Sequence, residues 1–136
     1  MSYSGTKWAE RLNYLATIED GWYEKDWGNA LKPEELDKAN EILHLLDSPN
    51  FHVPGIYPLL GEEGVIGMEW TEKDHPYMVS FHFTEDFKYE VFSMNSEGHP
   101  NDDILVEDIE SLEEAMELLR TCLTKAGLLT RCVTRD

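Results

Sequence analysis

The chain has 136 residues, 41% of them hydrophobic and 11% aromatic, which is enough for one folded domain with a core and too much for a disordered acidic segment. Its 28 Asp and Glu outnumber 11 Lys and Arg, for a formal net charge of −17, a field that repels nucleic acid and anionic membrane surfaces and steers basic partners inward. No stretch approaches the ~20 apolar residues of a membrane helix, and the amino terminus lacks the apolar core of a secretory signal, so a single cytoplasmic domain over 1–136 is expected, with a frayed tail from 128.

Trp8, Leu12 and Leu15 recur at steps of four and three and predict a helix over about residues 5–18. The following Gly21-to-Ala30 segment is aromatic but aperiodic and reads as an irregular connection. Pro33 suits the first position of a second helix, because its missing N–H would be unpaired there anyway. Leu36, Ala39, Leu43 and Leu46 then form its seam, widened by Ile42 and Leu45, and Asp47-Ser48-Pro49-Asn50 ends it. The period then drops to two. Tyr77, Val79, Phe81 and Phe83 alternate with smaller or polar residues, and Phe87, Tyr89 and Val91 do the same after a Glu85-Asp86 turn, which predicts a hairpin. Ile66, Met68 and Trp70 predict a strand before it, and Ile56 to Leu59 a weaker one that Pro58 assigns to a sheet edge.

Ser96 to Asp103 is turn chemistry, and Ile104-Leu105-Val106 reads as a brief extended piece. Ser111 and Glu114 have the spacing of a capping box, and Leu112, Ala115, Met116, Leu119 and Leu123 share one face of a last helix that Gly127 stops. The expected fold is α+β: two N-terminal helices, an antiparallel meander of three to four strands, and a C-terminal amphipathic helix packed on the sheet.

Charge is concentrated in one stretch. From Tyr89 to Leu119 there are ten carboxylates and no Lys or Arg. On a wheel of 100° per residue, Glu110, Glu113, Glu114 and Glu117 lie within about 100° of one another, opposite the apolar face. Asp102, Asp103, Glu107 and Asp108 lie just upstream. Acids near the start of a helix also favour its positive end, which is sufficient reason for a plain solvated face. Yet solvated helices usually interleave both signs and gain pairs worth about 0.2–0.5 kcal/mol each, and here that gain is forgone. The surface is therefore expected to bind a basic protein, a toxin or a nucleic-acid-binding protein, in the manner of an antitoxin or a phage-encoded inhibitor, with no direct nucleic-acid or membrane contact. Arg120, Lys125, Arg131 and Arg135 make the carboxyl end basic, and they suit the negative end of the last helix or the chain's own acids.

An alternative is a small-ligand pocket between sheet and helices built from Trp22, Trp27, Trp70, Tyr77 and His82, although Trp on helix and strand faces is more often core. An aromatic patch from Trp22 to Trp27 would also be compatible with a homodimer. Five histidines lack partners at ligand spacing, and no zinc or EF-hand signature is present, so no metal or cofactor is expected. Cys122 and Cys132 match no zinc or redox spacing and read as reduced thiols. With no nucleophile elbow, P-loop or dinucleotide fingerprint, no catalytic residue is assigned and a non-enzymatic protein is expected.

Gly21-Trp22 after the first helix, Pro33, Tyr57-Pro58, and the run from Gly61 to Trp70 together resemble a family of small uncharacterised bacterial proteins with an EGGVxLEW-like strand. The likeness spans about residues 8–92, with Glu63-Gly64 where that family has a Gly pair and Met68 where it has Leu. It implies the helix-helix-sheet order and no activity, and the acidic region after residue 95 lies outside it.

Overall fold

A computed structural model describes residues 3, 5–23, 28–49, 51–60, 64–71, 75–98 and 103–128. Helix α1 (Ala9–Leu15) is shorter than its apolar period implies. Gly5 takes a positive φ of 80° and Trp8 the non-helical cap position, so the first helical residue is Ala9. Trp8 is nonetheless buried, and its indole N–H donates to Asn40 Oδ1 at 2.9 Å, tying α1 to the next helix. Helix α2 (Pro33–Leu46) starts at the proline, as expected, and buries Leu36, Ala39, Ile42, Leu43 and Leu46, while Leu45 is exposed.

Strands β1 (Gly55–Pro58), β2 (Ile66–Thr71), β3 (Tyr77–Phe83), β4 (Tyr89–Asn95) and β5 (Ile104–Ile109) form one antiparallel sheet in chain order. The sheet has five strands rather than three to four, and the added member is β5. The run Ile-Leu-Val-Glu-Asp-Ile hid it, because its polarity does not alternate. A bulge is the cause. Tyr89 pairs with Ile109 and Val91 with Val106, so β5 spends one residue more than β4 over that interval, and Asp108 takes φ 56°. The extra residue returns Ile109 to the buried side.

Pairing aligns Ile56, Met68, Phe81 and Val91 in one row across the sheet. All four are buried, and the helices cover this side. The other side carries Tyr57, Gly67, His82 and Glu90 and has no helix over it among the described residues. Gly67 has a reason to lack a side chain: an added Cβ would meet the Tyr57 ring at 2.7 Å. Helix α3 (Leu112–Lys125) packs on β3, β4 and β5 through Ala115, Met116, Leu119, Cys122 and Leu123. Ser111 Oγ accepts from Glu114 N–H at 3.2 Å, which caps its first turn. No helix among the described residues is long and apolar enough to cross a membrane.

Candidate functional site: an acidic end of the sheet

Strand register decides which acids meet. A second row, Pro58–Ile66–Phe83–Tyr89–Ile109, marks one end of the sheet. The β3–β4 turn with Glu85 and Asp86, the bulge with Glu107 and Asp108, and the start of α3 with Glu110, Glu113 and Glu114 all project from that end. The start of α2 is there too, since Lys32 Nζ pairs with Glu85 at 3.3 Å.

Two kinds of acid share this end. Asp20 accepts from Ala30 N–H at 2.8 Å, and Glu35, only 3% exposed, accepts from Lys32 N–H at 2.9 Å to cap α2. The Thr84 hydroxyl donates to Asp86 at 2.6 Å and holds that carboxyl below its ordinary range. These three, with Glu85, rim a groove of about 890 Å³ lined also by Leu31, Leu59, Leu60 and Val65. Each carboxylate of this rim has a partner within the protein.

The acids of β5 and α3 differ. Asp108, Glu110, Glu113, Glu114 and Glu117 are exposed, and none forms an ion pair with Lys or Arg among the described residues. Of the nearby bases, Lys88 lines a small cavity with Glu90, Glu107 and Asp108 without forming an ion pair with them, and Arg120 and Lys125 are turned elsewhere. Arg120 Nη2 donates to Leu45 O of α2 at 3.0 Å, and Lys125 lines a small cavity with Ser93 and Ile104 at the far end of β5. Glu107 is exposed and stands against Glu90, which faces His82 Nδ1 across the hairpin at 3.6 Å. Burial pushes the Glu90 carboxyl up; His82 opposes this, and the charges of Glu107 and Asp108 add to it. The His82–Glu90 pairing was available from the hairpin spacing, which sets these residues opposite each other.

Asp103 does not join the group. It precedes Ile104, which pairs with Ser93 at the opposite end, and a rise of ~3.3 Å per residue puts it roughly 16 Å along β5 from Asp108. Asp102 lies outside the described residues.

The five aromatics proposed as a ligand pocket are not assembled into one lining. Trp70 is 2% exposed on the helix side of the sheet, its indole N–H donating to His52 O at 2.7 Å. His82 is on the other side, so the sheet separates the two. Tyr77 stands beside His75 with ring centres 5.9 Å apart. Trp22 packs edge-on to Tyr23 and donates to Asn29 O at 2.9 Å. Trp27 lies outside the described residues, and none of the other four lines the large groove. Among the described residues no group of three or more His, Cys, Asp or Glu is arranged to hold a metal ion. Cys122 is buried, and burial pushes its thiol up, away from reactivity; Cys132 lies outside the described residues, as do Arg131 and Arg135.

No protein-family model matches the chain, nor does any curated protein or solved structure. Function therefore rests on the chemistry of the surface.

Proposed function

We propose that this is a non-enzymatic interaction protein whose acidic end binds, and thereby restrains, a basic protein of the kind that itself binds nucleic acid. The observation that carries the reading is the contrast within one end of the sheet. Acids that serve the fold have partners, while Asp108, Glu110, Glu113, Glu114 and Glu117 are exposed and unpaired by any described Lys or Arg. Along α3, Glu113, Glu114 and Glu117 recur at steps of one and three and present one face, and Glu110 stands just before the Ser111 cap. Unpaired carboxylates held on a helix and a bulged strand need little reordering to accept Arg or Lys, and the net charge of −17 draws such a partner in from a distance. Occupying the cationic surface of a nucleic-acid-binding protein blocks its own ligand.

The test is capture from lysate of the native host on the immobilised protein and on a Glu113→Lys, Glu114→Lys, Glu117→Lys variant, at about 50 mM and about 1 M salt. A basic protein should be retained by the parent at low salt only, and not by the variant. Retention of the same protein by both, or at both salt concentrations, would refute the reading.

A further inference from the structure

The two edges of the sheet are finished differently. At one, β1 is four residues long, contains Pro58, and is covered by α1, whose Arg11 Nε donates to Ile56 O at 2.6 Å. Shortness, proline and coverage are among the ways to keep an edge from recruiting another strand; a bulge and charged side chains are others, and within β5 these stand only at its Glu107–Asp108 end. At the other edge, β5 is six residues long with no Pro, Lys or Arg, and it pairs only with β4. Nothing among the described residues pairs with its outer side. Leu105 is 56% exposed and Val106 39%. Neighbours in a strand point to opposite faces, so an apolar side chain stands bare on each side of the same edge. A strand added there would cover both and satisfy the outward backbone groups.

Charge selects the occupant. If a second copy paired antiparallel over Asp103 to Glu107, Asp103 of each chain would stand opposite Glu107 of the other, and each copy would bring a net charge of −17. Like charges directly opposite destabilise a ladder, so self-pairing is opposed. A strand with Lys or Arg at its ends and β-branched residues at its centre meets the opposite situation: apolar contact at Leu105 and Val106, and attraction at Asp103 and Glu107. The αL residue at Asp108 limits the ladder, so that added pairing covers about Asp103 to Glu107.

We infer that β5 is the docking edge for a basic β-strand of the partner, which extends the sheet while the acids of α3 hold the flanking cations. This deepens the proposed function and rests on it for the polarity of the partner. It also gives the bare Leu105 and Val106 a role that a purely electrostatic surface would not.

The probe is a nine-residue peptide alternating Lys, Val and Thr; one control has Glu in place of Lys, and another keeps every Lys but carries Pro at its centre. Binding is followed by fluorescence anisotropy, and backbone pairing by hydrogen exchange of amides 103–107. The Lys peptide should slow exchange there roughly tenfold or more, the Pro peptide should bind without protecting them, and the Glu peptide should not bind. A Leu105→Lys, Val106→Lys variant, whose changes lie at exposed positions, should lose the protection while keeping the circular dichroism of the parent. Absence of protection by the Lys peptide, or protection of α3 alone, would overturn the inference. So would a sedimenting dimer whose 103–107 amides are protected without peptide. If the glutamate reversals abolish capture of a basic protein while β5 stays unprotected, the proposed function stands and only the strand-addition step falls.

Discussion

Glu117→Lys should make the protein more stable while weakening its binding. Glu117 sits in the second turn of α3, with Glu113 four residues before it, Glu114 three before it and Arg120 three after. Neighbours at these spacings contribute about 0.2–0.5 kcal/mol per pair, attractive or repulsive according to sign. The substitution turns two repulsions into attractions and one attraction into a repulsion, a net reversal of one pair. That amounts to about 0.4–1 kcal/mol. The helix dipole subtracts little, because its effect is confined to the first turn, where Glu113 and Glu114 lie. For a chain of this length the melting temperature should rise by about 2–5 °C at low salt. In about 1 M salt, where the screening length is ~3 Å, most of the gain should vanish. Urea unfolding of parent and variant at both salt concentrations measures this. A destabilised variant, or a gain indifferent to salt, would mean that Glu117 is already neutralised in the folded protein, and the argument for a free acidic face would fail. Stability gained together with lost capture of the partner would place the cost of the acidic face on the function side.

Three other outcomes are expected. Glu90 is held above its ordinary value, chiefly by burial, so between that value and the raised one the folded state binds more protons than the unfolded chain, and stability rises as pH falls through this window. Glu90→Gln should remove that dependence and raise stability near neutral pH by about 0.2–1 kcal/mol, read from urea midpoints across the acidic range. Gly64 has φ 126° and an added Cβ would meet Phe83 O at 2.6 Å, so Gly64→Ala should cost about 1–3 kcal/mol in strain and lower the melting temperature measurably. Ser111→Ala should cost about 1 kcal/mol by removing the cap on Glu114 N–H, and Ser111→Asp should restore it, both by thermal unfolding.

Local rules carried the reading furthest where neighbours in the chain decide the structure. Pro33 to Leu46, the cap at Ser111, and the hairpin about Glu85-Asp86 are each set by side chains within a turn or two of one another, and each is where its pattern indicates, except that Phe87, expected in the second strand, lies in the turn at φ 58°. α1 falls short of its period at its start, where Gly5 has a positive φ and Trp8 takes the cap position, and at its end, where the Thr17 and Ile18 N–H groups turn to the carbonyls three residues back. β5 escaped because one extra residue at the bulge breaks the two-residue alternation on which strand reading depends. The acidic face followed the same division: the order of Glu113, Glu114 and Glu117 on one helix face is a matter of 3.6-residue geometry, whereas Glu110, expected on that face, precedes the extended Ser111 cap and lies outside the helix. Whether Asp103 or Asp86 stands with them is a matter of register between segments far apart in the chain. That register is chosen by burying Met68, Phe81 and Val91 in one row beneath the helices, a requirement of the core that no short stretch of sequence contains.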